Sequence, residues 1–199
     1  MTTTLDFYFD VGSPTAYLAW QRLLQLREQY DLSINFKPML LGGVFKATEN
    51  VSPVANPAKG AYMATMDMPR FAARYGVPLA FNPHFPVNTL GLQRGAIAAL
   101  AAGCLEAYLA AVYPAMWIDG KDMGDVEVVK AVLEQAGLDA QGLLAATQDP
   151  EVKAALISNT EEAVSRGAFG APTMYIGEEM FFGQDRLDFV EERLSLIHI

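Results

Sequence analysis

The 199-residue sequence has a single cysteine, Cys104, which excludes a disulfide within the chain and any thiolate metal site. Its two histidines, His84 and His198, are too far apart for a His-x-x-x-His metal pair. Basic clusters are missing as well. The 14 Lys and Arg are scattered against 23 Asp and Glu, a formal charge of −9, which argues against nucleic acid as a partner. Long apolar runs are broken: Ala96 to Met116 is interrupted by Gly103, Glu106 and Pro114, short of the ~20 uncharged residues of a membrane span. Met1 to Asp10 carries Asp6 and Asp10 and lacks the positive start and apolar stretch of a signal peptide. No internal repeat or low-complexity segment is visible. These absences leave a cytoplasmic protein with no membrane contact as the expectation.

What is present is a chain that can fold. Hydrophobic residues make up 52% and charged ones 19%, enough for one domain, or one domain with a large insertion. Thr4 to Asp10 is dense in aromatic and apolar residues and reads as a strand. Val11-Gly12-Ser13-Pro14 punctuates it, with Ser13 suited to cap a helix and Pro14 to begin one. Tyr17, Leu18, Trp20, Leu23, Leu24 and Leu26 then recur at helical spacing. Leu32 to Met39 alternates Leu32, Ile34 and Phe36 with Ser33, Asn35 and Lys37, a second strand parallel to the first.

Leu41 to Gly60, rich in Gly, Pro, Asn and Ser, reads as a long loop. Ile97, Leu100, Ala101, Cys104, Leu105, Tyr108, Leu109 and Val112 then form one apolar stripe, on which Cys104 is expected buried and inert. Val126 to Ala136 forms a second, closed by Gly137, and a third helix runs from Asp149-Pro150 to Gly167. Strands return in Pro172 to Ile176 and Glu179 to Phe182, a hairpin about Gly177-Glu178. A final amphipathic helix carries Leu187, Val190 and Leu194, with Asp185 as its expected cap. Ser195 to Ile199 is more apolar than a chain end requires and takes no part in the functional reading.

The order βαβ, helical block, ββα is that of an α/β, thioredoxin-like fold of DsbA type with a large all-helical insertion. On this reading residues 1–45 and 158–199 form the thioredoxin-like core and 46–157 the inserted helical domain. Three segments, Asp6 to Leu18, Gly167 to Thr173 and Phe182 to Leu187, resemble the 2-hydroxychromene-2-carboxylate isomerases and the related kappa-class glutathione transferases. Leu40 to Asn50, Lys59 to Met63 and Asn82 to Asn88 extend the resemblance over nearly the whole chain.

Disulfide oxidoreductases of this fold begin the first helix with Cys-x-x-Cys, because the helix N-terminus stabilises a thiolate. Here the tetrad is Ser13-Pro14-Thr15-Ala16, so this chain cannot exchange disulfides through its own side chains there. The same position can still stabilise a sulfur anion that arrives from outside, through the Ser13 hydroxyl and the free N–H groups of the first turn. The resemblance implies that this thiol is glutathione, held by Ser13, Asn50, Ala171, Pro172, Gln184 and Asp185. It implies a cis Ala171–Pro172 bond and Asp185 on the γ-glutamyl ammonium. It also implies an aromatic 2-oxo acid substrate, for which Lys46, Lys59 and Asn88 are the candidate contacts. No metal is expected.

Phe45, Tyr62, Met63, Phe85 and Trp117 are candidates for an aromatic wall, with core packing the commoner role for such residues. His84 has no visible partner and is assigned no chemistry. The implied activity is glutathione-dependent cis–trans isomerisation between 2-hydroxychromene-2-carboxylate and trans-o-hydroxybenzylidenepyruvate, by a homodimer. The alternatives are a kappa-like transferase or peroxidase that consumes glutathione, and a non-catalytic thioredoxin-fold binding module.

Overall fold

The computed structural model describes residues 2–197, the last by its backbone alone; Met1, His198 and Ile199 lie outside the described residues. Strand β1 (Thr3–Phe9) is buried on both faces, at Leu5, Phe7 and Phe9 on one and Tyr8 on the other, as a central strand must be. Helix α1 (Pro14–Gln29) starts where its cap chemistry places it: the Ser13 hydroxyl oxygen accepts the N–H of Ala16, and Pro14 occupies the first helical position. The chain returns in β2 (Leu32–Pro38), parallel to β1 with Phe36 opposite Phe7.

Between Pro38 and the next strand come α2 (Leu41–Thr48), a 3-10 turn (Pro53–Ala55), α3 (Pro57–Tyr62), a π turn (Met63–Asp67) and α4 (Met68–Tyr75). Then follow α5 (Leu90–Ala101), α6 (Leu105–Trp117), α7 (Val126–Gln135), α8 (Ala140–Ala146) and α9 (Pro150–Ser165). The hairpin of β3 (Thr173–Ile176) and β4 (Glu179–Phe182) completes a sheet of order β2-β1-β3-β4, with β3 antiparallel to β1. A 3-10 turn (Gln184–Arg186) leads into α10 (Leu187–Ile197).

The sheet separates two apolar layers. Leu5, Phe7 and Phe9 face the larger one, shared with Leu23 of α1, Tyr113 of α6 and Val190 of α10. Tyr8 and Tyr175 face the smaller one, with Val44 of α2 and Ala163 of α9. The helical segment between β2 and β3 leaves and rejoins the sheet at one seam: the Leu40 N–H donates to the Thr160 hydroxyl at 3.0 Å, and the Asn159 amide to the Pro38 carbonyl at 3.1 Å. The expected domain limits, 45/46 and 157/158, fall inside α2 and α9, which pack against each other there.

Three expectations need correction. Leu41 to Gly60 is not a loop but mostly helical. Gly42 and Gly43 sit in the first turn of α2 despite their low propensity; at Gly43 tertiary packing accounts for the glycine, since a Cβ there would stand 3.1 Å from Thr160 Cγ2, whereas Gly42 faces open space. The long apolar stripe is two helices, broken where Gly103 takes φ 71°, and Cys104 is half-buried at the cap position of α6 rather than within a buried stripe. Asp185 does not cap the last helix. Gly183 stands at the cap position of the preceding 3-10 turn, and the Asp185 carboxylate accepts from Arg186 at 2.6 Å. Among the described residues no helix is long and apolar enough to cross a membrane.

Candidate active site

The turn between β1 and α1 is fixed from below by side chains whose partners are not evident from the sequence. Asp10, 1% exposed, accepts the Gly12 N–H at 2.9 Å, the Leu41 N–H at 2.9 Å and the Thr89 hydroxyl at 3.1 Å. Burial pushes its carboxyl above the usual carboxylate range, while the three donors pull it back in part. Gln93, fully buried, accepts the Val11 N–H at 3.2 Å and donates to the carbonyls of Phe9 and Met39 at 2.8 Å each. The Trp117 indole donates to the Val11 carbonyl at 2.8 Å. Gly12 is required by space: a Cβ there would stand 2.7 Å from Thr89 Cγ2.

Ser13 therefore sits on a rigid loop at the positive end of α1. Its hydroxyl is 2.9 Å from that of Thr15, and both hydroxyls lie 3.3 Å from the Ala171 carbonyl oxygen. When Thr15 donates to that carbonyl, the Ser13 hydrogen is free to turn outward. The Ala171–Pro172 peptide bond is cis, as the resemblance implies; Phe85–Pro86 is also cis, which the sequence pattern does not signal.

Above this point opens a cavity of about 710 Å³. It brings together Ser13, Asn50, Ala171, Gln184, Asp185 and Lys59 from elements far apart in sequence. Asn50 follows Glu49, which ends α2 in the left-handed conformation at φ 55°. Its amide donates to the Phe169 carbonyl at 2.8 Å, tying α2 to the segment before Pro172. Gln184 is buried, its carbonyl oxygen accepting the Tyr75 hydroxyl at 2.6 Å. The Tyr75 hydroxyl is pushed up to about 12, first by burial and then by Asp188. Asp67, which no sequence motif marks, lines the cavity from the π turn, 3.5 Å from the Gln184 amide. Pro69, which brings no N–H to the helix, is the second residue of α4 after that turn.

Of the proposed substrate contacts, Lys59 is the one cation lining the cavity among the described residues. Lys46 is exposed on α2 and does not line it. Asn88 borders a different hollow, where its side-chain Oδ1 accepts the Leu90 N–H at 3.1 Å. Pro172 is buried behind Ala171 rather than on the cavity wall. Phe45, Met63 and Phe85 line the cavity; Tyr62 is exposed outside it and Trp117 is core. His84 lies 3.6 Å from Asp122, away from the cavity. No group of His, Cys, Asp and Glu that could hold a metal occurs among the described residues.

Residues 4–195 match the family model of the DSBA-like thioredoxin domain. The chain is 33% identical to the 2-hydroxychromene-2-carboxylate isomerase of Sphingobium xenophagum over 195 residues, covering 98% of this chain and 99% of the relative. It is 28% identical to the human glutathione S-transferase kappa 1 over 210 residues, covering 96% and 91%. A solved structure of a 2-hydroxychromene-2-carboxylate isomerase superposes with a TM-score of 0.87 at 33% identity, covering 98% of this chain and 95% of that one.

Proposed function

From the premise that the chain belongs to the 2-hydroxychromene-2-carboxylate isomerase family of DSBA-like thioredoxin domains, we propose that it is a glutathione-dependent cis–trans isomerase. The observation that carries this reading is the placement of a serine hydroxyl, not a thiol, at the N-terminus of α1 facing the Ala171 carbonyl at the floor of the cavity. Human and rat relatives named glutathione S-transferase kappa 1 support glutathione as the ligand.

In this proposal the cysteinyl backbone of glutathione pairs with the edge at Ala171, and its sulfur rests at Ser13. The Ser13 hydroxyl turns from Ala171 to the sulfur, Thr15 keeps the carbonyl satisfied, and the helix field favours the thiolate. Asp185 and Asp67 supply negative charge for the γ-glutamyl ammonium, with Gln184 between them. Lys59 holds the carboxylate of an aromatic 2-oxo acid. The thiolate adds to the conjugated system of the substrate, forming a C–S bond and sending the electron pair toward the 2-oxo group. Rotation about the bond that is now single follows, and return of the pair expels the thiolate. Glutathione is recovered each turn, a nucleophile borrowed rather than consumed. Lys46, Asn88 and Pro172 carry no direct contact in this arrangement.

The test is stoichiometric. Isomerisation of 2-hydroxychromene-2-carboxylate should require glutathione and leave its concentration unchanged. One glutathione lost per product would identify the kappa-like transferase instead, and failure to bind glutathione in calorimetry would leave a binding module.

A further inference from the structure

Seven of the eight arginines have a partner: Arg22, Arg27, Arg74, Arg166, Arg186 and Arg193 each meet a carboxylate, and Arg70 a tyrosine hydroxyl. Arg94 on α5 is the exception among the described residues. Its Nε is buried with no hydrogen-bond partner, and it forms no ion pair with a carboxylate of the described residues. A buried Nε–H without an acceptor forgoes a hydrogen bond that water would otherwise supply, and the half-buried guanidinium that carries it has its charge unpaired, an arrangement that a bound anion would relieve.

Arg94 lines a hollow of about 450 Å³ bounded by α2, α5 and α9. This lies on the other side of α2 from the Ser13 cavity: Leu40, Gly43 and Ala47 face the hollow, whereas Leu41, Phe45 and Asn50 face the cavity. Its walls are apolar, built from Leu90, Leu156 and Val164, and Ile157 on its rim is 58% exposed, a large aliphatic side chain left in water. Lys153 adds a second cation and Glu161 one anion, so the hollow is net positive in a chain of charge −9. Such a size, with an apolar wall and few polar groups, suits a small ligand.

We propose that the α2–α5–α9 hollow is a second ligand site, one that takes a small monocarboxylate with an apolar body. The carboxylate pairs with Arg94, assisted by Lys153, and the hydrocarbon covers Leu156 and Ile157. This site is separate from the glutathione cavity and does not depend on its assignment.

The experiment is titration of octanoate into the full chain, followed by calorimetry, with 1-octanol as the uncharged probe of the same shape. Wild type and Lys59→Met, which alters only the Ser13 cavity, should bind octanoate alike. Arg94→Met should weaken it at least ten-fold, and 1-octanol should bind wild type at least ten-fold more weakly than octanoate. Ala47→Trp, an exposed position at the edge of the hollow, should block binding without touching Arg94, and so keeps the test valid if Arg94→Met folds poorly. Loss in Lys59→Met with retention in Arg94→Met would move the ligand to the other cavity and overturn the proposal. Equal binding of 1-octanol, or no binding of octanoate to wild type at millimolar concentration, would also overturn it.

Discussion

The hydroxyl of Ser13 lies 3.3 Å from the carbonyl oxygen of Ala171, joining two residues 158 positions apart. Thr15 reaches the same oxygen at the same distance, so the carbonyl has a partner to spare. The arrangement lets Ser13 release its hydrogen bond to an incoming sulfur without leaving a buried acceptor empty.

Replacing Ser13 by Ala should therefore leave glutathione affinity nearly unchanged and raise the pKa of the bound thiol. A charge-assisted hydrogen bond of roughly 1.5–3 kcal/mol corresponds to about one to two pKa units. Loss of the cap on α1 should cost about 1 kcal/mol of stability at the same time. Thiolate absorbance of bound glutathione against pH, for wild type and Ser13→Ala together, separates the two effects. Superimposable curves would remove Ser13 from the chemistry.

Gly12→Ala should strike activity and stability together. The new methyl meets Thr89 Cγ2 at 2.7 Å and Asp10 Oδ1 at 3.3 Å, an overpacking of about 1–3 kcal/mol directly before Ser13. Adding Thr89→Ser removes the Cγ2 and keeps the hydroxyl that bonds Asp10, so it should recover much of both losses. Thermal unfolding and kcat of the single and double variants decide it.

Asp10 sets a pH dependence of known sign. Burial raises its pKa above 3.8, so the folded chain keeps a proton that the unfolded chain has lost. Its contribution to stability should be greatest below that value and decline as pH rises toward the folded-state pKa. The difference in Tm between wild type and Asp10→Asn should change across this acidic range and be flat above it. A difference constant at every pH would show that Asp10 does not titrate with folding.

Lys59→Met should raise KM for a carboxylate substrate by roughly five-fold, about 1 kcal/mol for an exposed ion pair, while Lys46→Met should change little. The effect of Lys59→Met should fade at high salt. Equal effects from both lysines would mean that the cavity wall does not choose between them.

The homodimer expectation has its own check. Met180, Phe189 and Leu196 border one hollow between β4 and α10 and remain exposed. Sedimentation should give a species of twice the 21.7 kDa chain mass at micromolar concentration, and Phe189→Asp should shift it toward the monomer.

Features governed by local chemistry are legible in the sequence. Ser13-Pro14 caps and opens α1 as its residue types predict, and the hairpin turns at Gly177-Glu178. What escapes depends on distant partners. Gly43 looks like loop until Thr160 is packed against it, and Asp185 looks like a cap until Arg186 takes its carboxylate. Gln93 gives no sequence signal for the three backbone groups it holds; Asp10, an acid at the end of a strand before a glycine turn, gives a faint one. Lys59 and Lys46 are alike in sequence, and only the course of α2 and α3 separates them.

The seam at Leu40–Thr160 and Pro38–Asn159 also bears on how such a chain can diversify. A segment whose two ends are clamped side by side behaves as a closed loop, and loop-closure entropy grows only with the logarithm of length. Doubling such a loop costs about 0.6 kcal/mol. Insertions and deletions between α3 and α8 can therefore reshape the roof over Ser13 while the sheet and the clamped ends stay in register. Changes in the length of the roof therefore leave the geometry of the floor around Ser13 and Ala171 untouched.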